Sequence, residues 1–254
     1  MTEQGAPVLA TESLVKSFGG VAASREISVE LRAGEIHALI GPNGAGKSTL
    51  IKQIAGALRP DSGRVRFLGR DVTGLSTAAR ARMGLARTFQ ISSLAMEYTA
   101  LENAVLGALG HRGDVFRVFN RVLRDAELIA AAERALARVG LAGCRAVRCS
   151  ELSHGQRRLL ELAVALTLAP RAFLMDEPAA GLGADGTRRL VGFLDGLRQE
   201  APILLIEHDM DTVFSLADRI SVLVHGRIIA TGTVAEIRAN RDVRRAYLGE
   251  EGTP

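Results

Sequence analysis

The stretch GPNGAGKST, residues 41–49, decides the fold, because it stands between an apolar strand-like run, EIHALI (35–40), and a helix-like run, LIKQIAG (50–56). A glycine-rich loop between a buried strand and a helix is the setting that a phosphate-binding loop requires. Its glycines let backbone N–H groups and the helix N-terminus face an anion closely. Lys47 can reach the β and γ phosphates, and Ser48 can ligate Mg²⁺. The pattern predicts a nucleoside triphosphate site.

Short apolar runs bounded by Gly, Pro or Asp predict strands along the chain. Three of them, EIHALI, AFLM and ILLI, are almost continuously apolar, as expected of parallel strands covered on both faces. Helix-like segments separate the runs, which predicts a wound α/β sheet. GRVRFLGRDVTG instead predicts a hairpin and hence an antiparallel β patch beside the main sheet. The predicted strands are REISVEL (25–31), EIHALIG (35–41), GRVRFLG (63–69), RAFLMDEP (171–178), ILLIEHD (203–209) and RISVLVHGRIIATG (219–232).

Residues 92–165 change character, with alanine, leucine and arginine at helical spacing and no strand-like run. We interpret this region as a helical subdomain inserted into one domain that spans 1–254. The sheet core would then consist of residues 1–91 and 166–254.

Composition excludes some classes of protein. No apolar run approaches the ~18 to 20 residues of a membrane-spanning helix, and the N-terminus lacks a signal core. We therefore expect a cytosolic chain whose membrane link is supplied by a partner. The net charge of +4 is spread along the chain and argues only weakly for nucleic acid. Cys144 and Cys149 lack metal-ligand spacing and are expected to be reduced structural thiols.

Two predicted strands end in residues that can carry chemistry. Asp176 and Glu177 follow one buried strand, at the edge where wound sheets collect their ligands. Asp176 would hold Mg²⁺ through water and Glu177 would polarise the attacking water. His208 follows another strand and could hydrogen-bond the γ-phosphate. Each feature alone has a plainer explanation, an acidic turn or a packed histidine, and the upstream phosphate loop favours the functional one.

Three further signals are weaker alone. Gln90 lies where the sheet region gives way to the helical region, and its amide could ligate Mg²⁺. Phe18 is either a core residue or a ring that stacks on adenine. LSHGQ (152–156) precedes a helix-like run, so Ser153 is by itself a simple N-cap.

The phosphate loop, Gln90, LSHGQ, FLMDEP and IEHD, in this order and spacing, resemble the ATP-binding subunit of ABC transporters over essentially the whole chain. The resemblance implies the P-loop NTPase (RecA-like) fold, ATP and Mg²⁺ as cofactors, and LSHGQ as a signature that completes the site of a second subunit. It implies catalytic roles for Glu177 and His208 and metal ligands at Ser48, Gln90 and Asp176. The implied nucleotide-binding residues are Phe18, Gly41, Pro42, Asn43, Gly44, Ala45, Gly46, Lys47, Ser48, Thr49, Ser153, Gly155 and Gln156.

Within the family, SFGG, RMGLARTFQ, DEPAAGL, LLIEHDM and VRRAYLGE are similar to the branched-chain amino acid uptake ATPase of the Liv type. The implied partners are a second ATPase subunit, in a homodimer or heterodimer, transmembrane permease subunits and, indirectly, an extracytoplasmic solute-binding protein. The implied location is peripheral, on the cytoplasmic face of the cell membrane. Leu94, Met96 and Tyr98 are exposed-looking in a loop-like setting. We expect them to contact a permease helix, and the alternative is that they pack in the core.

The alternatives are a soluble ABC ATPase acting on ribosomes or nucleic acid, an ABC ATPase for urea, amides or lipopolysaccharide, and a P-loop kinase or GTPase. The single cassette and short insert disfavour the first, and LSHGQ disfavours the last. Two residues depart from the family pattern. The third residue of the signature is usually glycine, and here it is His154. The loop after Glu177 usually ends in aspartate or asparagine, and here it ends in Gly183, so the polar contact across the dimer would have to come from Asp185.

Overall fold

The structure, a computed structural model, describes residues 6–88, 94–112 and 124–248. Within these ranges the central sheet consists of β4 (Ile36–Ile40), β7 (Leu85–Arg87), β8 (Ala172–Asp176), β9 (Ile203–Ile206), β10 (Arg219–Val224) and β11 (Arg227–Gly232). The strand order is β11-β10-β4-β9-β8-β7. All neighbours are parallel except β11, which pairs antiparallel with β10 at one edge. The predicted wound α/β sheet is confirmed. RISVLVHGRIIATG is not one strand, because His225 and Gly226 turn the chain at φ 46 and 77 between β10 and β11.

Strands β4, β8 and β9 are almost continuously apolar because both faces of the sheet are buried there. Successive side chains of a strand point to opposite faces. In β8, Phe173 and Met175 pack into a core formed largely with helices, whereas Ala172 and Leu174 pack into a second core on the other face. All four are completely buried. The continuous runs thus reflect a sheet covered on two sides.

A second sheet is antiparallel throughout and contains β1 (Leu9–Phe18), β2 (Val21–Ile27), β3 (Glu30–Leu31), β5 (Ser62–Phe67) and β6 (Arg70–Asp71). Its order is β2-β1-β5-β6, with β3 also paired with β1. The predicted hairpin is β5–β6, whose turn uses Leu68 and Gly69 at φ 52 and 75. The predicted antiparallel patch is therefore confirmed.

One prediction about this sheet is wrong, and one of its strands was missed. REISVEL is not one strand, because β2 ends at Ile27 and β3 begins only at Glu30. The Thr11 hydroxyl interrupts the ladder there, donating to the Ile27 carbonyl and accepting from the Val29 N–H. Strand β1 was not predicted. Its alternation is broken where Ser13 adopts φ 46 and the pairing register shifts, so its apolar residues do not follow a period of two.

The described helices are α1 (Lys47–Ile54), α2 (Thr77–Arg82), α3 (Ala100–Arg112), α4 (Ala126–Arg138), α5 (His154–Leu166), α6 (Ala184–Leu197), α7 (Met210–Leu216), α8 (Val234–Ala239) and α9 (Arg241–Leu248). Helices α3, α4 and α5 share one core with α6 and with one face of β8. A separate subdomain at 92–165 stays a prediction. In the described part of the chain, no helix is long and apolar enough to cross a membrane.

Candidate functional site

The site begins with the loop that joins β4 to α1. Gly41 and Gly46 adopt φ 156 and 108. A Cβ on Gly41 would lie 2.0 Å from the Leu223 carbonyl oxygen, and one on Gly46 would lie 2.4 Å from the Ala23 carbonyl oxygen. A Cβ on Gly44 would meet nothing within 4 Å. The first and third glycines are therefore fixed by close backbone packing, and the second leaves the outer surface of the loop open.

Lys47 lies across this loop. Its Nζ donates to the Gly41 and Pro42 carbonyls at 2.6 and 3.1 Å. Burial lowers the pKa of Lys47, and the carboxylates of Glu177 and Asp176 act in the opposite direction. The ammonium is thus influenced by the two carboxylates at the end of β8.

Asp176 and Glu177 occupy different environments although they are adjacent. Asp176 ends β8 and is 3% exposed. Burial raises its pKa, while the charges of Arg87 and Lys47 oppose that shift. Glu177 leaves the strand in the left-handed region, at φ 51, and its N–H donates to the Ile206 carbonyl at 2.9 Å. Because β4, β9 and β8 are parallel neighbours, both carboxylates lie at the same edge of the sheet as the loop that follows β4.

His208 meets Glu177 because β8 and β9 are parallel neighbours. The His208 Nδ1 lies 3.5 Å from a Glu177 carboxylate oxygen, and 67% of the histidine side chain is exposed. The two residues predicted to act in catalysis are 31 positions apart in sequence and within contact distance in space. An acid–base pair that is open to solvent can position a reacting water.

Phe18 projects from the hairpin that joins β1 and β2, opposite Val21. It is 51% exposed, and Val21 is 69% exposed. Strand β2 passes directly against the phosphate loop, where the Ala23 carbonyl meets Gly46. Since a strand rises ~3.3 Å per residue, Val21 is about 7 Å along the strand from that contact. The core alternative for Phe18 is wrong, and an apolar ring stands exposed near the loop.

The LSHGQ segment forms the start of α5. The Ser153 hydroxyl accepts from the Gln156 N–H, and the Gln156 side chain accepts from the Ser153 N–H, which is a complete capping box. The Gln156 amide also donates to the Cys144 sulfur at 3.5 Å. Among the described residues, no hydrogen bond joins this segment to loop 41–49 of the same chain. It instead borders an open cavity of about 860 Å³ that Gly181, Leu182 and Arg189 also line.

The two departures from the family pattern have structural counterparts. The His154 ring packs over Gly181, so closely that a Cβ on Gly181 would lie 2.6 Å from the ring. His154 thus ties the start of α5 to the turn after Glu177. Gly183 caps α6 without a side-chain hydrogen bond. Asp185 is exposed and paired with Arg188 at 2.7 Å.

The predicted residues beyond β7 are only partly accounted for. Gln90 lies outside the described residues. Leu94 and Met96 are not exposed as predicted, because both pack against the main helical core. Tyr98 is 40% exposed, so it alone of the three fits the prediction of a contact surface.

Sequence reasoning missed two charged groups beside the site. Arg87, in β7, favours the ionised form of Asp176 on the adjacent strand. Glu207 is 1% exposed and accepts hydrogen bonds from the Ala179 and His208 N–H groups. Both residues are visible in the motifs RTFQ and IEHD, but their contacts depend on strands that are distant in sequence.

Residues 24–180 match the family described as ABC transporter. The chain belongs to this family. It is an ATP-binding cassette, with the P-loop NTPase fold, and an ATPase of the ABC type. Residues 227–253 of the cassette match a second family, described as branched-chain amino acid ATP-binding cassette transporter.

Relatives of the cassette match it along almost its whole length. It is 40% identical over 253 residues to the high-affinity branched-chain amino acid transport ATP-binding protein LivG of Salmonella typhimurium, covering 96% of this chain and 98% of that protein. It is 37% identical, with the same coverage, to the corresponding protein BraF of Pseudomonas aeruginosa. An ATP-binding cassette of an ABC transporter, solved in its ADP conformation, superposes with a TM-score of 0.84 at 32% identity, covering 96% of this chain and 99% of that one.

Proposed function

We propose that the cassette powers the uptake of branched-chain or related amino acids through separate permease subunits. The observation that carries the solute class is the match of residues 227–253, because that match is to a branched-chain amino acid family and not to ABC transporters at large. In the structure the described part of this region forms β11, α8 and α9, at the edge of the central sheet. The names of the relatives support the same class.

The loop and its surroundings fit ATP. Glycines fixed by backbone packing hold the loop in shape, and the open face at Gly44 leaves room for phosphate. The Lys47 ammonium donates to two carbonyls of the loop, which supports a contact with phosphate held there. The exposed ring of Phe18 offers a stacking surface for adenine. The other nucleotide-binding residues predicted in this loop are Pro42, Asn43, Ala45, Ser48 and Thr49.

The donors also fit Mg²⁺, which is commonly held by one or two carboxylates together with substrate phosphates. Ser48 is exposed at the start of α1, and Asp176 faces the same edge of the sheet. When bound, Mg²⁺ supplies positive charge against the charge that develops on phosphate oxygens. Gln90 remains a predicted ligand.

Hydrolysis would depend on Glu177 and His208. Glu177 would accept a proton from the attacking water, and His208, 3.5 Å away, would orient the water and the carboxylate. Glu177→Gln removes the negative charge and keeps the shape, so we expect ATP binding to persist and turnover to fall by about 10²-fold or more. Wild-type turnover by this variant would refute the assignment.

Ser153, Gly155 and Gln156 would bind the γ-phosphate held by a second subunit. A helix N-terminus favours an anion, and the capping box leaves the hydroxyl hydrogen of Ser153 free to donate, because its oxygen is the acceptor in that box. The segment borders an open cavity, which is consistent with a site completed by a partner. ATP would then hold a homodimer or heterodimer together.

A mixing experiment tests this shared site. Ser153→Arg chains keep an intact phosphate loop, and Lys47→Ala chains keep an intact LSHGQ segment, so a mixed dimer contains one complete site. We expect ATPase activity to reappear on mixing. Ser76 is the N-cap of α2 and accepts a 3.3 Å hydrogen bond from a backbone N–H, as Ser153 does in α5. Ser76→Arg therefore controls for the loss of a helix cap. Absence of ATP-dependent association and of recovered activity would contradict the shared site.

The transport role is tested by uptake. We place the cassette on the cytoplasmic face of the membrane, bound to permease subunits that receive solute from an extracytoplasmic binding protein. Cells that lack this chain should lose uptake of radiolabelled leucine, and the wild-type chain but not Glu177→Gln should restore it. Retained leucine uptake together with lost uptake of urea or short amides would reassign the solute. Retained uptake of all of them, with a defect in ribosome function, would favour the soluble alternative.

A further inference from the structure

We propose that Glu207 is a positioning residue for hydrolysis. Its buried carboxylate fixes the turn that follows Glu177 against the backbone at His208, and so keeps the two catalytic side chains together. The proposal rests on the roles proposed above for Glu177 and His208. It adds a residue that acts through these two side chains and not by direct contact with the nucleotide or the attacking water.

The Glu207 carboxylate links two backbone segments through hydrogen bonds, and we call this link the Glu207 clamp. It directly follows β9 and is 1% exposed. One carboxylate oxygen accepts from the Ala179 N–H at 3.0 Å, and the other accepts from the His208 N–H at 3.2 Å. Ala179 lies two residues after Glu177, and His208 is the next residue in the chain. A single carboxylate therefore joins the backbones of the two segments that carry the predicted catalytic side chains.

The same carboxylate also faces the His208 ring. The His208 Nδ1 lies 3.9 Å from the Glu207 carboxylate and 3.5 Å from that of Glu177. Burial raises the pKa of Glu207, while the two backbone donors favour its ionised form. An ionised carboxylate can accept both hydrogen bonds at once. A protonated acid accepts them less well, and an alanine side chain cannot accept either.

The Glu177 turn needs such support. Glu177 is a non-glycine residue at φ 51, a conformation that persists only where its surroundings impose it. Its own N–H is held by the Ile206 carbonyl on one side, and Glu207 holds Ala179 on the other. Without the clamp, the turn can relax and the Glu177 carboxylate can move away from His208. A displacement of ~1 Å at a reacting group can cost about 10²-fold in rate.

The test is a kinetic comparison in the full chain. We expect Glu207→Ala to lower kcat by about 10²-fold with little change in the KM for ATP, because the phosphate loop is untouched. Glu207→Gln keeps the shape and one acceptor oxygen, so its kcat should be intermediate. The matched control is Glu35→Gln, since Glu35 is 8% exposed and its carboxylate accepts from Arg219 and from the Arg32 N–H. This control should keep wild-type kcat.

A double-mutant cycle separates positioning from a general loss of stability. If Glu207 acts through Glu177, adding Glu207→Ala to Glu177→Gln should lower the residual kcat no further. Multiplicative losses, or a loss of kcat in Glu35→Gln equal to that in Glu207→Ala, would overturn the proposal. If Glu177→Gln itself turns over normally, the proposed function fails instead. Wild-type kcat in Glu207→Ala beside an inactive Glu177→Gln refutes the clamp alone.

Discussion

Gly46→Ala provides a quantitative test of the phosphate loop. The new methyl would lie 2.4 Å from the Ala23 carbonyl oxygen in β2 and 3.6 Å from Leu223. The residue must also keep φ 108, a conformation that L-residues avoid at a cost of about 1–2 kcal/mol. Forcing a methyl into a packed site costs about 1–3 kcal/mol more. The two costs add up to about 2–5 kcal/mol in the free energy of unfolding, against which the lower entropy of the unfolded chain returns about 0.4–1 kcal/mol.

Gly44→Ala is the matched control. Gly44 also has a positive φ, of 77, but a Cβ there meets no atom within 4 Å. It therefore carries the backbone strain without the collision. Both substitutions also reduce the entropy of the unfolded chain by a similar amount, worth about 0.4–1 kcal/mol, so this contribution cancels between them. The difference between the variants, about 1–3 kcal/mol, isolates the contact with Ala23.

The assay is urea unfolding of the nucleotide-free chain, followed by circular dichroism, with the midpoints compared at equal slope. Gly46→Ala should unfold at a clearly lower urea concentration than Gly44→Ala. It should also bind ATP more weakly, because the displaced strand β2 leads to Phe18. Equal midpoints would show that the loop is not packed against β2 as the structure has it.

Three further experiments, each with a pair of substitutions, test other contacts. Lys47→Ala should remove measurable ATP affinity in calorimetry, because the ammonium over the loop is lost, and Lys47→Arg should weaken it. Gly181→Ala should lower the melting temperature more when His154 is present than in a His154→Gly chain, since the added methyl collides with that ring at 2.6 Å; equal losses would argue against the contact. Tyr98→Glu should reduce solute uptake and leave basal ATPase nearly intact, whereas Met96→Glu should destabilise the fold, as thermal melts would show.

The sequence predicts the parts of the fold in which hydrophobicity follows local geometry. The runs in β4, β8 and β9 are almost continuously apolar because both sheet faces are covered, with His37 in β4 and Asp176 at the end of β8 as the exceptions. Strand β1 could not be found in this way, since the positive φ of Ser13 and the register shifts interrupt the alternation. The boundary between β2 and β3 depends on the Thr11 hydroxyl, which comes from another strand.

The residues of the candidate site likewise fall into those that local sequence places and those that it does not. Lys47, Asp176, Glu177 and His208 could be predicted because each is placed by the end of a recognisable strand or by a glycine loop. Glu207 could not, although it lies within a motif, because its hydrogen bond to Ala179 spans 28 residues and exists only where β8 and β9 are neighbours.

Ser153 shows why a local and a functional explanation of one residue need not compete. The hydroxyl of Ser153 caps α5 as an acceptor, a role that would be complete in any isolated helix. That role leaves its hydrogen unused, at the positive end of a 13-residue helix and beside an open cavity. A residue that only capped the helix could be replaced by Asp, which accepts equally well but donates nothing and repels phosphate. Ser153→Asp should therefore preserve the melting temperature and remove ATP-dependent dimerisation, and dimers that form normally with Asp at this position would leave capping as the whole role of the serine.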